Sequence, residues 1–231
     1  MDAQRSYARF AGLFYLLVLA FDIAGVVITY FIEGSGGFAE GARHIGASES
    51  LYRLGLCLGL LGSLSTIPLA TCLYVAVRQV DGNLAMMALL FRAAEAAIGG
   101  IGIVGAFGVL QVYLAANHPG ALGVDQLRVL SDLHPLGTST AIAAVFFCLG
   151  STIFFYVFFK SSYIPRILSA WGMFASVVYL VSWFTELVAP NAPALVNLFA
   201  SLPILIAEVS TGFWLLIAGI RLESVGEAAM G

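Results

Sequence analysis

The sequence predicts an all-α, polytopic membrane helix bundle of six transmembrane helices with both termini cytoplasmic, and three observations carry that prediction. Of 231 residues, 61% are hydrophobic and only 10% charged, with a mean hydropathy of +0.98, values that belong to a multi-span membrane protein. Six apolar runs each reach the roughly 20 residues needed to cross a hydrocarbon core. The runs are continuous rather than alternating, which favours helices over a barrel. The expected organisation is one transmembrane domain over residues 1–231.

The first span is expected over about 10–32. It follows a short, weakly basic segment and is longer than a signal-peptide core, so it reads as a retained span. The second, about 51–77, contains Pro68, and the third, about 84–116, carries Arg92 and Glu95. Glycines at 55 and 59 in the second span, and at 99, 102, 105 and 108 in the third, form small surfaces on which helices approach closely. Gly100, Gly102 and Gly105 also satisfy a GxGxxG pattern. They sit mid-span rather than between a strand and a helix, so a dinucleotide site lacks its context. The fourth and fifth spans are expected over about 136–159 and 167–189, and the sixth, with Pro203, over about 196–220.

Arg5, Arg9, Arg78, Lys160, Arg166 and Arg221 fall on one side of this layout, against Arg43, Arg53 and Arg128 on the other. The positive-inside rule therefore places both termini in the cytoplasm of a multi-pass cell-membrane protein. Two external loops, about 33–50 and 117–135, are long. In the second, Leu127, Leu130 and Leu133 recur every three residues after a possible cap at Asp125, predicting a short amphipathic helix on the outer surface.

With a net charge of -3 and no basic stripe, nucleic acid is set aside as a partner. Cys57, Cys72 and Cys148 lie in apolar runs without CxxC spacing and read as small buried hydrophobes. His44, His118 and His134 fall in the loops without metal-ligand spacing, so neither metal nor cofactor is expected.

The candidate functional residues are Asp22, Arg92, Glu95 and Glu208, which lie deep inside apolar runs, with Arg92 and Glu95 equally readable as a structural ion pair joining helices. Charges at that depth are costly and mark function or a partner. Arg92 and Glu95, three residues apart, share a helix face and can pair. Asp22 and Glu208 have no basic neighbour in sequence, and desolvation favours the uncharged form of a carboxyl group, which is a proton donor. Tyr179, Trp183 and Glu186 share one face of the fifth span, and Trp214 lies in the sixth. Their rings can line a cavity and stabilise positive charge.

Several segments resemble a family of bacterial six-span membrane proteins catalogued as domain of unknown function 4386. They are Ser50-Leu-Tyr-Arg-Leu-Gly55, Leu90-Phe-Arg-Ala-Ala-Glu95, Leu133-His134, Phe146-Phe-Cys-Leu-Gly150, Ile164-Pro-Arg-Ile-Leu-Ser-Ala-Trp-Gly172, and Glu208 ahead of Phe213-Trp214-Leu215 and Gly219. The resemblance implies that Arg53, Arg92, Glu95, His134, Arg166 and Glu208 occupy family motif positions, and it carries a fold without an activity. Ala207 and Ala218 stand where the family often has Asn and Lys, and Asp22 matches no family motif.

Three functions fit these residues. The first is an intramembrane acid/base enzyme acting on a lipid-like or isoprenoid-like substrate, such as a proton-initiated cyclase or isomerase, with Glu208, Asp22, Glu95 and Arg92 as catalytic groups and Tyr179, Trp183, Glu186 and Trp214 against the substrate. Small membrane terpene cyclases are an analogy of size and chemistry only. The second is a proton- or cation-coupled transporter, for which six spans suggest a homodimer. The third is a membrane sensor or structural partner.

Overall fold

A computed structural model describes residues 2–118, 120, 122–133, 136–189 and 194–221. Among these residues the chain is all-helical: α1 (Asp2–Glu33), α2 (Phe38–Ala47), α3 (Glu49–Val77), α4 (Gly82–Ala115), α5 (Val124–Asp132), α6 (Leu136–Ser161), α7 (Arg166–Val188) and α8 (Ala194–Ile217). Six of them, all but α2 and α5, are long and apolar enough to cross a membrane. Much of their outer surface is bare hydrocarbon. On α3, for example, Leu54, Leu61 and Leu64 are exposed on one stripe, as lipid contact requires and water would penalise.

The six spans form a closed ring in chain order. α1 packs on α3, α3 on α4, α4 on α6, α6 on α7, α7 on α8, and α8 returns to α1. The short turns after α3 and α6 meet at one end of the ring, where Lys160 Nζ lies 3.3 Å from Asp81 Oδ2. Asp81 also caps α4, accepting from the Leu84 N–H at 3.1 Å. That bond above all, with the Lys160 charge beside it, holds the Asp81 carboxyl below the usual aspartate range. The Gln4 amide donates to Ala76 O, and the Arg221 N–H to Tyr163 O, so both described chain ends lie at this same end. It also gathers Arg5, Arg9, Arg78, Lys160, Arg166 and Arg221. We call it the terminal end and the other the loop end.

Inside the ring at the terminal end, Tyr15, Leu69, Leu73, Phe154, Phe158 and Leu215 belong to one buried cluster. At the loop end, α2 packs onto α1, α3 and α4 through Ala42 and Ile45, which join Tyr52, Leu56, Leu110 and Tyr113 in a second cluster. The Tyr113 hydroxyl donates to Glu33 Oε1 at 2.7 Å, tying α4 to the end of α1.

Glycines fix the path of α1. A methyl group on Gly12 would stand 2.6 Å from Gly212 O and collide with Leu216 N, so α1 touches the backbone of α8 there. On Gly25 it would stand 2.7 Å from Gly55 O and 3.1 Å from Gly59 N, so α1 touches α3 there instead. The expectation that Gly55 serves close helix approach holds. Gly102 faces Ser139 of α6, whereas Gly100 meets nothing within 4 Å.

Three readings need correction. The segment 33–50 is not simply a loop but contains α2, hidden in the sequence by the glycines around it. α5 forms as expected, yet its cap is Gly123, whose N–H donates to the Gln126 side chain, and only Leu127 of its three leucines is buried. Cys57 is exposed, while Cys72 and Cys148 are buried.

Candidate functional site

At mid-height the ring encloses a cavity of about 400 Å³, within the range of small-molecule sites. All six spans line it: Asp22 from α1, Ser63 and Thr66 from α3, Arg92 and Glu95 from α4, Thr140 and Phe147 from α6, Tyr179 and Trp183 from α7, and Ser201 and Glu208 from α8. At 1.5 Å per residue, Arg92 stands about 15 Å along α4 from Gly82, half the depth of a roughly 30 Å hydrocarbon core.

Arg92 is the bulkiest fully buried side chain among the described residues. Its guanidinium is accommodated on three sides. Nη1 lies 3.0 Å from Glu95 Oε2, an ion pair whose angle falls short of a hydrogen bond. The same nitrogen donates to Ser151 Oγ at 3.4 Å, and the group sits 4.7 Å from the centroid of the Phe147 ring. Gly150 makes room for the stem, since a Cβ there would come within 2.9 Å of Arg92 Cγ. The motif Phe146-Phe-Cys-Leu-Gly150 thus supplies both the ring under the guanidinium and the gap beside its stem.

Glu208 is 7% exposed and faces the cavity, and its Oε1 has no hydrogen-bond partner among the described residues. Such an orphaned acceptor calls for a ligand, a water or a proton. Asp22 lies at the cavity edge, with its carboxyl group pressed over Gly62 of α3. Tyr179 and Trp183 meet edge to face at 5.7 Å, and Phe147 packs edge-on to Tyr179 at 6.2 Å. The chamber is therefore apolar and aromatic, with three carboxyl groups and one guanidinium.

Residues 10–219 match the family described as Domain of unknown function (DUF4386). The chain belongs to that family. No curated protein matches it, and no solved structure does. This DUF4386 member is a membrane-embedded helical bundle, and its family brings no activity with it.

Of the residues singled out in the sequence, Asp22, Arg92, Glu95, Glu208, Tyr179 and Trp183 meet in this one cavity. Two do not. Trp214 packs against the terminal-end cluster with Arg221 5.2 Å from its ring centroid, and Glu186 lies beyond Trp183 on α7, outside the lining. Arg53 pairs with Glu49 at 2.7 Å at the start of α3, Arg166 donates to Ser162 Oγ, and both are remote from the cavity. His134 lies outside the described residues. Sequence reasoning missed Phe147, Ser151 and the hydroxyls of Ser63, Thr66, Thr140 and Ser201. Small hydroxyl residues abound in membrane helices, so only the fold distinguishes those that face the chamber.

Proposed function

We propose that this protein is an intramembrane acid/base enzyme acting on a hydrophobic, lipid-like substrate held in the mid-bundle cavity. The observation that carries the reading is Glu208, buried, unpartnered at Oε1 and aimed into an aromatic chamber that also holds the Arg92–Glu95 pair. In this reading Glu208, protonated, gives its proton to a carbon–carbon double bond of the substrate. The cation so formed is stabilised by the faces of Tyr179 and Trp183. Loss of a proton from a neighbouring carbon to the Glu95 carboxylate, which Arg92 orients, regenerates a double bond. The product is an isomer of the substrate, and one proton passed from Glu95 back to Glu208 resets the site.

Packing favours a reaction chamber over a conduit. Towards the terminal end the ring interior is filled by Tyr15, Leu73, Phe154, Phe158 and Leu215, all in one buried cluster.

The test compares lipids bound to wild type and to Glu208→Gln, purified from the same host. Glutamine keeps the shape of the side chain but has no proton to give. The variant should retain a lipid that wild type carries as an isomer of equal mass and different chromatographic retention. Identical lipids on both proteins, or a wild-type protein that instead carries protons across liposomes, would overturn the enzyme reading.

A further inference from the structure

The cavity is not equally walled on all sides. α1 touches the backbone of α8 at Gly12 and, about 20 Å further along at 1.5 Å per residue, that of α3 at Gly25. Past Val18 only Gly25 of α1 is buried, and Ile23 is 50% exposed, Val26 66% and Tyr30 66%. Asp22 and Ile23 of α1 and Leu205 of α8 line the cavity on the side where these two helices meet. Ile23 lines the cavity and is at the same time half exposed on the bundle's outer surface, so the chamber opens sideways towards the hydrocarbon in a cleft beside α1.

Charge at the cleft is unbalanced. Arg92 is committed to Glu95, Ser151 and the Phe147 ring. Among the described residues, Asp22 has no basic side chain within ion-pairing distance, and the remaining lysines and arginines lie at the two ends of the bundle. An ionised carboxylate at this depth needs a cation. Gly62 leaves the Asp22 carboxyl group against bare α3 backbone, so its open side faces the chamber, where Tyr179 and Trp183 add aromatic faces of the kind that attract ammonium groups. Unpartnered Glu208 in the same chamber points independently to a ligand.

We propose that the chamber takes an amphiphile with a single cationic amine head, which enters from the bilayer through the cleft between α1 and α8 and is anchored by Asp22. This rests on the enzyme reading above and names its substrate class. Asp22 holds the head while Glu208 keeps its proton for the reacting carbon.

The test uses the protein in lipid nanodiscs, corrected for partition into protein-free discs, with dodecylamine against its uncharged counterpart N-dodecylacetamide. Dodecylamine should bind saturably and at least about tenfold more tightly than the amide. Asp22→Asn should erase that preference. For the route, quenching of tryptophan fluorescence by 12-bromododecylamine follows association. Ile23→Phe combined with Leu205→Phe should slow both association and dissociation, whereas Ile103→Phe, on α4 between Gly59 of α3 and Ser139 of α6, should change neither rate. Equal binding of amine and amide, or an undiminished preference in Asp22→Asn, overturns the amine class. Slowing by Ile103→Phe rather than by the cleft pair overturns the route. An isomer trapped on Glu208→Gln alongside a failed amine preference would retire this substrate class and leave the enzyme reading standing.

Discussion

Arg92 shows how a full charge persists at the middle of a bilayer-spanning bundle. Its guanidinium has an acid, a hydroxyl and a ring around it, each from a position that the surrounding helices fix. Removing one partner of such a pair leaves the other charge buried and alone, at a cost of about 3–5 kcal/mol, whereas removing both does not. Arg92→Ala should therefore lower stability in a detergent unfolding titration by about that amount, and Arg92→Ala with Glu95→Ala should recover part of the loss. A double variant no more stable than Arg92→Ala would mean that Arg92 acts through Ser151 and Phe147 rather than through Glu95. Half of this site was legible in the sequence. The i, i+3 spacing of Arg92 and Glu95 puts them on one face, but Phe147 and Ser151 lie more than fifty residues away, and no local pattern announces them.

At the scale of the element, hydropathy located each span because a run of about 20 apolar residues has few alternatives to crossing a bilayer. Boundaries were less legible. α1 begins at Asp2 rather than near residue 10, since its polar first turns are helical without being apolar, and α8 ends at Ile217, short of 220, where Gly219 turns to φ 68°. Helix crossings follow from glycine contacts, which can be tested one at a time. Gly25→Ala places a methyl group against Gly55 O and should cost about 1–3 kcal/mol by forcing α1 off α3. Gly100→Ala, with open space around it, should be neutral or slightly stabilising, both variants being compared by the same detergent unfolding titration. Equal losses at the two sites would show that the α1–α3 crossing is looser than the glycine contacts require.

At the scale of the whole molecule, the ring order of the spans turns scattered polar residues into one chamber. Asp22 and Glu208 are 186 positions apart, and they line the same cavity because α8 closes the ring against α1. That closure is invisible to hydropathy, and the sequence therefore supplied the acids but not their meeting. The basic residues at the terminal end lead us to propose that this end faces the cytoplasm. Single cysteines placed at Ser162 and at Ser48 in a background without Cys57, Cys72 and Cys148 should report it. In intact cells an impermeant maleimide should label Ser48→Cys and spare Ser162→Cys, and the reverse pattern would invert the topology.

A chamber open to the bilayer requires that the mid-bundle carboxyl groups be reached from within the membrane. Dicyclohexylcarbodiimide dissolves in the bilayer and forms a stable adduct with protonated carboxyl groups, so it measures this directly when its sites are mapped by mass spectrometry on protein in liposomes. Adducts should appear on Glu208 and Asp22, should be sparse on Glu95 beside Arg92, and should fall when a cavity ligand is present. A water-soluble carbodiimide should instead label loop-end acids such as Glu40 and Asp132. Labelling confined to the bundle ends by both reagents, with Glu208 and Asp22 untouched, would contradict a chamber open to the bilayer.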